Sequence, residues 1–180
     1  LATRIAIVVA HPDDETIGAS AALGRYSDCR VVCLTDGAPR DRRFWPSIEI
    51  ASRADYARLR RHEISQALAL AGIPDENIVR LGGIDQEAVH QLPLLIDHFT
   101  LLLREWEPDV LITHPYEGGH PDHDSAALIA HSAVRSLKSL GAPVPELIEM
   151  TSYHVCEGQC VKGEFLRNPF GRDPRDAVLR

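Results

Sequence analysis

No apolar run in this 180-residue sequence approaches the roughly 18 residues that a membrane-spanning helix needs. The apolar run at residues 5–10 is too short for a signal-peptide core, so we expect a cytoplasmic protein. Basic residues are also in deficit, with 19 Lys and Arg against 26 Asp and Glu, a formal net charge of −7. This balance argues against nucleic acid or an anionic membrane as the main partner, because both need a basic face.

Three common catalytic and nucleotide-binding motifs are missing. The first apolar run is not followed by G-x-G-x-x-G, which removes the usual dinucleotide fingerprint. The sequence contains neither the P-loop motif G-x-x-x-x-G-K-[ST] nor the nucleophile elbow G-x-S-x-G. A P-loop nucleotide-binding protein and an α/β-hydrolase are therefore both disfavoured.

Cysteine is scarce, with four residues in two C-x3-C pairs, Cys29/Cys33 and Cys156/Cys160. A disulfide framework is not expected in a chain of this length without a secretion signal. The spacing is poor for zinc, and the first pair lies in or beside an apolar stretch. We predict buried or unpaired thiols.

The composition is typical of a soluble globular protein, with 44% hydrophobic and 25% charged residues. We predict a single domain over residues 1–180, irregular after about residue 155 and incomplete if the chain is a partial copy. Strands are predicted at residues 4–10, 30–35, 77–81, 109–114 and 146–153. Helices are predicted at residues 16–26, 50–71, 93–106 and 122–140.

This alternation of strands and helices predicts an α/β, Rossmann-like three-layer fold with a mainly parallel sheet. We expect the strand order 3-2-1-4-5, in which the winding reverses between strand 1 and strand 4. Ligands bind at the carboxyl ends of the strands beside such a switch point. Functional residues should therefore follow residues 10 and 113.

The loops at these two places are rich in imidazoles and carboxylates. The first reads AHPDDE at residues 10–15, and the second reads HPYEGGHPDHD at residues 114–124. Without a cation, the carboxylates gathered in one crevice would repel one another. Two His and one carboxylate with a water is the usual hydrolytic zinc site, and Fe²⁺ suits the same donors.

A structural explanation exists for each loop alone. A His-Pro pair is most often a turn, and a single Asp at a helix start is most often a cap. Two such loops at the two positions that the topology selects favour a metal site instead. No cysteine lies in either loop, so thiolate metal sites and Cys proteases lose support.

The sequence AHPDDE after the first strand and GHPDHD after the fourth resemble the signature of the PIG-L/LmbE-like deacetylases. The likeness runs from residue 4 to about residue 130 and includes LTDG at residues 34–37 and LGG at residues 81–83. The resemblance implies a metal-dependent, usually zinc-dependent, enzyme that removes acetyl groups from N-acetylglucosamine-type sugars. By motif position, the implied metal ligands are His11, Asp14 and His123.

The same resemblance implies roles for further residues. Asp13 would be the general base, and His120 an electrophilic donor that Asp122 orients. Arg60, in an Arg-x-x-Glu pattern, would contact the substrate sugar, with an ion pair on a solvated helix as the alternative. Apart from the resemblance, the position of His114 at the end of the fourth strand, beside the site, makes it a candidate to support the metal ligands.

Two departures from the family pattern leave the substrate open. The loop before HPDH is short and lacks the longer tyrosine-bearing form that some members show, and members usually continue beyond this chain's last residue. We therefore predict a metal-dependent N-acetyl hydrolase acting on a small N-acetylated sugar or glycoconjugate. The alternatives are an amidase for a thiol-sugar conjugate or another amide, and a non-catalytic Rossmann-like binding module.

Overall fold

A computed structural model describes residues 3–26, 28–46, 49–156 and 158–166. Its centre is a five-stranded sheet in the order β3-β2-β1-β4-β5, with every neighbouring pair parallel. The predicted fold class and strand order are both confirmed. The strands are β1 (Arg4–Val9), β2 (Asp28–Thr35), β3 (Ile78–Gly83), β4 (Val110–Thr113) and β5 (Glu146–Glu149).

Within the described residues, four α-helices connect these strands or flank the sheet: α1 (Asp14–Gly18), α2 (Arg53–Leu70), α3 (Leu92–Trp106) and α4 (Pro121–Ser139). Short 3₁₀ turns lie at Arg42–Phe44, Asp75–Asn77 and Ala88–Gln91. Local sequence sets the helix ends: Ser52 caps α2 by accepting a hydrogen bond from the Asp55 N–H, and Pro121 opens α4. No helix in the described part of the chain is long and apolar enough to cross a membrane.

The sheet is buried on both faces, which explains why β1 reads as a continuous apolar run. Alternate residues of β1 and β2 enter two separate apolar clusters. One cluster, which includes the fully buried Phe99, joins the sheet to α3 and α4. The other joins it to α2 and contains Ile64 and Leu68. The result is the three-layer arrangement that the alternation predicts.

Two elements differ from the sequence predictions. Helix α1 ends at Gly18 and is followed by turns, whereas a helix over residues 16–26 was expected. Gly18 lies against Met150, and a Cβ at Gly18 would be 2.7 Å from the Met150 sulfur. Packing against Met150 therefore favours glycine, a residue of low helix propensity, as the last residue of α1.

The chain after β5 is also more regular than expected. The fifth strand ends at Glu149, and a separate antiparallel hairpin follows, made of β6 (Tyr153–Cys156) and β7 (Gln159–Lys162). The rest of the part expected to be irregular, residues 167–180, lies outside the described residues. The division into one domain stays a prediction.

The register of the sheet brings distant loops together. Ile5 to Ile7 of β1 pair with Val110 to Ile112 of β4, so both strands end at the same edge. Strands β2 and β3 run parallel to them and end there too. Four loops thus meet at one edge of the sheet, on either side of the switch point between β1 and β4.

Candidate metal centre

The loop after β1 is fixed by its own backbone. The His11 N–H donates to Asp14 Oδ2 at 2.8 Å, and the Asp13 N–H donates to Glu15 Oε2 at 3.1 Å. Thr35, at the end of β2, donates its hydroxyl to the Ala10 carbonyl at 2.8 Å. These bonds fold the loop tightly, so that Asp14 points inward while Asp13 is exposed.

Asp14 lies among three imidazoles. Its Oδ2 is 3.3 Å from His11 Nδ1 and 3.3 Å from His114 Nε2, and its Oδ1 is 3.3 Å from His123 Nε2. Burial alone would raise the pKa of Asp14, but its interactions with these imidazoles, that with His11 first, hold it well below its usual range. A buried carboxylate is therefore ionised and surrounded by nitrogen donors.

The other edge of the His11 ring meets two further carboxylates. His11 Nε2 is 3.2 Å from Asp85 Oδ1 and 3.3 Å from Asp122 Oδ2. Burial alone would lower the pKa of His11, but hydrogen bonds to Asp122, Asp14 and Asp85 raise it well above its ordinary value. Asp85 was not found from the sequence; its position just after β3, whose end lies at this edge, was the available signal.

The donor set fits a divalent metal ion. The three residues predicted as ligands come together, because His11 and His123 both contact Asp14 and their rings are 5.3 Å apart. In the described part of the chain, the buried His123 Nε2 has no hydrogen-bond partner. Two imidazoles and a carboxylate suit Zn²⁺ or Fe²⁺.

Among the described residues, the side chains that lie close enough to share a cation fall into three sets, and His11, Asp14 and His123 together are not one of them. Three sets have one candidate ligand atom per residue, all within 4.8 Å of one another: His11/His120/His123, Asp14/His114/His123 and His11/Asp85/Asp122. The residues at this edge of the sheet thus fit a metal, while the choice of His11, Asp14 and His123 as ligands stays a prediction.

His120 is the N-cap of α4. Its Nδ1 accepts a hydrogen bond from the Asp122 N–H at 3.1 Å, so the neutral ring carries its proton on Nε2. The ring lies edge-on to His11 at 4.7 Å between centroids. Burial, followed by the neighbouring His11, lowers the pKa of His120. His120 is therefore a neutral donor beside the candidate metal ligands.

The fully buried Asp122 carboxylate joins three segments. It accepts hydrogen bonds from the Gln86 N–H at 2.5 Å and the Ala88 N–H at 3.2 Å, and it lies beside His11. The described hydrogen bond between Asp122 and His120 runs through the Asp122 backbone N–H. The predicted role of Asp122 in orienting His120 stays a prediction, and the carboxylate itself contacts His11.

Arg60 reaches from α2 to the first loop. Its Nη2 is 2.7 Å from Asp13 Oδ2 and also donates to the Pro12 carbonyl, while its Nη1 is 2.7 Å from Glu63 Oε2. The ion pair that was the alternative for Arg60 is present, and one of its partners is the predicted base. Partial burial raises the pKa of Asp13, and the charge of Arg60 opposes that rise. Contact with a sugar stays a prediction.

His114 lies directly behind the candidate ligands. It is fully buried, its ring stacks on His123 at 4.1 Å, and its Nε2 accepts from the Ala10 N–H at 3.3 Å. The loop that follows is organised by Asp124, whose Oδ1 accepts from the Glu117 and Gly118 N–H groups at 3.1 and 2.9 Å. The second loop is therefore as firmly held as the first.

Comparison with known sequences gives a family match over residues 6–134, to the family described as PIG-L, GlcNAc-PI de-N-acetylase. A 1D-myo-inositol 2-acetamido-2-deoxy-alpha-D-glucopyranoside deacetylase of Nocardioides sp. is 30% identical over 159 residues, covering 71% of this chain and 52% of that protein. The protein with the same description from Corynebacterium kroppenstedtii is 30% identical over 162 residues, covering 76% and 42%. The chain spans about half the length of these relatives.

Solved structures share the fold. The N,N'-diacetylchitobiose deacetylase of Pyrococcus horikoshii has a TM-score of 0.64 at 24% identity, covering 85% of this chain and 60% of that one. A conserved protein of Thermus thermophilus, TT1542, has a TM-score of 0.63 at 22% identity, covering 82% and 66%. At these identities, the likeness establishes the architecture.

Proposed function

This chain belongs to the PIG-L family of GlcNAc-PI de-N-acetylases, and from that membership we propose that it is a metal-dependent N-acetyl hydrolase. Its substrate would be an N-acetylglucosamine-type sugar or glycoconjugate, and its products acetate and a free amino sugar. The observation that carries the proposal is the buried Asp14 carboxylate with three imidazole nitrogens at 3.3 Å, beside the exposed carboxylate of Asp13.

We assign zinc as the metal, with Fe²⁺ as the alternative, and His11, Asp14 and His123 as the residues that hold it. Such an ion, when bound, polarises an amide carbonyl and lowers the pKa of a water from about 15.7 towards 7. The ionised state of Asp14 supports this assignment, because carboxylates bind metals in that form. His114 supports the ligands by contacting Asp14 and stacking on His123.

Asp13 acts as the general base in this proposal. It removes a proton from the attacking water as the water oxygen bonds to the acetyl carbon. When the C–N bond breaks, Asp13 returns that proton to the amine nitrogen, so protons balance over the cycle. A carboxylate that is half exposed and whose pKa is raised by partial burial suits a group that gains and loses a proton.

His120 stabilises the negative charge that develops on the acetyl oxygen. Its Nδ1 is occupied by the Asp122 N–H, which leaves the Nε2–H as the donor. As the N-cap residue of α4, it is held at a fixed place on a long helix. A donor held in place before the reaction is worth more than one that must reorient.

The proposal includes a small-molecule substrate, no nucleic-acid partner and a cytoplasmic location. The sequence's net charge of −7 supports the second point, because nucleic acid needs a basic face. The four cysteines are free thiols, which fits a reducing compartment. Arg60 completes the proposed substrate side of the centre, through its contact with Asp13.

The test is acetate release from a panel of N-acetylated sugars by protein loaded with Zn²⁺ or Fe²⁺. We expect acetate from at least one sugar, loss of activity with a chelator, and recovery when the metal is restored. Release of another acid from a thiol-sugar conjugate, with no acetate from the sugars, would favour the amidase alternative. Protein that binds neither metal would be the non-catalytic module.

A further inference from the structure

The β6–β7 hairpin contributes a residue to the metal centre that none of the proposed roles includes. Tyr153, its first residue, has its ring centroid 5.0 Å from that of His123, with the ring planes at 60°. Tyr153 lies beyond residues 6–134, the part that matches the family. The ring is partly buried, so one part of it packs on His123 while another stays accessible.

A buried contact between His154 and Glu117, at ion-pair distance but without a hydrogen bond, joins the hairpin to the loop after β4. His154, which is 2% exposed, has its Nδ1 3.4 Å from Glu117 Oε2. The other oxygen of Glu117 accepts from the Leu166 N–H at 2.5 Å, which ties down the chain beyond β7 as well. Since Tyr153 is the neighbour of His154, this contact also fixes Tyr153.

The backbone itself leaves little freedom at this contact. A Cβ on Gly119 would lie 2.3 Å from the Tyr153 carbonyl oxygen and 3.1 Å from the His154 Cα. The hairpin backbone therefore occupies the space that a side chain at position 119, one residue before His120, would need. The position of Tyr153 relative to the centre is set by both side-chain and backbone contacts.

We propose that Tyr153 is a substrate-binding residue, forming the wall of the centre on the side of His123. Small-molecule sites are lined by aromatic side chains with a few polar groups, and a phenol supplies both an apolar face and a polar tip. A pyranose ring, with an apolar C–H face and hydroxyl groups at its edge, matches that surface. The sugar as ligand rests on the proposed function.

The experiment compares Tyr153→Ala and Tyr153→Phe with wild type, all loaded with Zn²⁺. Loss of the ring in Tyr153→Ala should raise KM for N-acetylglucosamine about tenfold with kcat changed less than about threefold. Tyr153→Phe keeps the ring, so its KM should stay within about twofold. Zinc affinity should be the same in all three, because Tyr153 contacts a ligand's ring face without supplying a ligand atom.

Tyr26→Phe is the control for Tyr153→Phe, since it removes a phenol hydroxyl just before β2, at the opposite end of the parallel strands. Its KM should equal that of wild type. Unchanged KM in Tyr153→Ala on sugars that wild type cleaves would overturn the role of Tyr153 and leave the proposed function standing. Weakened zinc binding would overturn it as well, because it would make Tyr153 a support of the metal ligands.

Direct binding separates the two proposals if wild type releases no acetate. Binding of N-acetylglucosamine to the zinc-loaded protein is then measured by saturation-transfer NMR. Binding to wild type that weakens about fivefold or more in Tyr153→Ala would support Tyr153 while the hydrolase proposal fails. Absence of binding to wild type would overturn both.

Discussion

Nη2 of Arg60 lies 2.7 Å from Oδ2 of Asp13, and the same guanidinium also donates to the carbonyl oxygen of Pro12, the residue before Asp13. One side chain of α2 therefore holds both the backbone and the carboxylate of the first loop. The Arg60 side chain is 19% exposed, whereas that of Asp13 is 52% exposed. The cation is thus covered on the protein side while the carboxylate faces outward.

Replacement of Arg60 by Ala should lower kcat/KM about 10- to 100-fold, because Asp13 loses the contact that orients it. The charge of Arg60 lowers the pKa of Asp13, so its removal should raise that pKa. A base with a higher pKa stays protonated to a higher pH, and the acid limb of the kcat/KM profile should therefore move upward. Arg58→Ala, which removes an exposed guanidinium of the same helix, is the control. An acid limb that does not move would contradict the contact's role.

Substitutions of the adjacent Asp13 and Asp14 should affect metal binding and the chemical step separately. Asp14→Asn should lose zinc, because the charge between His11, His114 and His123 is removed. Asp13→Asn should retain zinc and lose most of kcat, since its carboxylate faces outward and contacts Arg60. Metal content by elemental analysis and acetate release are measured on the same samples. Normal zinc binding with activity in both variants would show that the assignment is wrong.

Removal of the His120 ring should reduce the rate without removing the metal. His120→Ala is expected to lower kcat about 10²- to 10³-fold, the usual cost of losing one donor to a developing oxyanion. Zinc affinity should change little, because His11, Asp14 and His123 remain. Competition with a chelator measures that affinity. A loss of zinc would instead place His120 among the ligands, in the set that it forms with His11 and His123.

Thiol reactivity tests the fold independently of the function. Burial raises the pKa of the Cys29 thiol to about 11 and also raises that of Cys33, while Cys156 and Cys160 are exposed. A thiol is protonated below its pKa, so the first pair should be unreactive at pH 8. Native protein should react with a disulfide reagent at two thiols, and unfolded protein at four. A variant with Cys156→Ser and Cys160→Ser that still reacted when native would contradict the buried placement.

The fold and the place of the candidate metal centre could be predicted from the sequence because alternating strands and helices allow few topologies. Alternating apolar runs and helical patterns define the layers, and the strand order then places residues 11–15 and 114–123 at one edge. His11, Asp14 and His123 meet there because each lies at the end of a strand or the start of a helix. Motif spacing and topology therefore both point to this edge.

The residues that were missed depend on contacts with no local pattern. Asp85 follows β3 without a motif, and only its distance to His11 shows its place in the centre. Gly18, the last residue of α1, packs against Met150, about 130 residues further along the chain. The hairpin that carries Tyr153 has no clear apolar alternation, and its position depends on Glu117 and Gly119 in another loop. Such tertiary contacts override local preference.

Because β1 pairs with β4, the metal centre assembles late during synthesis of the chain. The Ala10 N–H meets His114 Nε2 across 104 positions of sequence, and His11 meets Asp122 across 111. A chain leaving the ribosome from its N-terminus therefore presents His11 and Asp14 long before β4 and the first turn of α4 exist. About two thirds of the printed sequence must therefore be translated before the metal centre can assemble. Capture of the ion would then report that the central strands have docked.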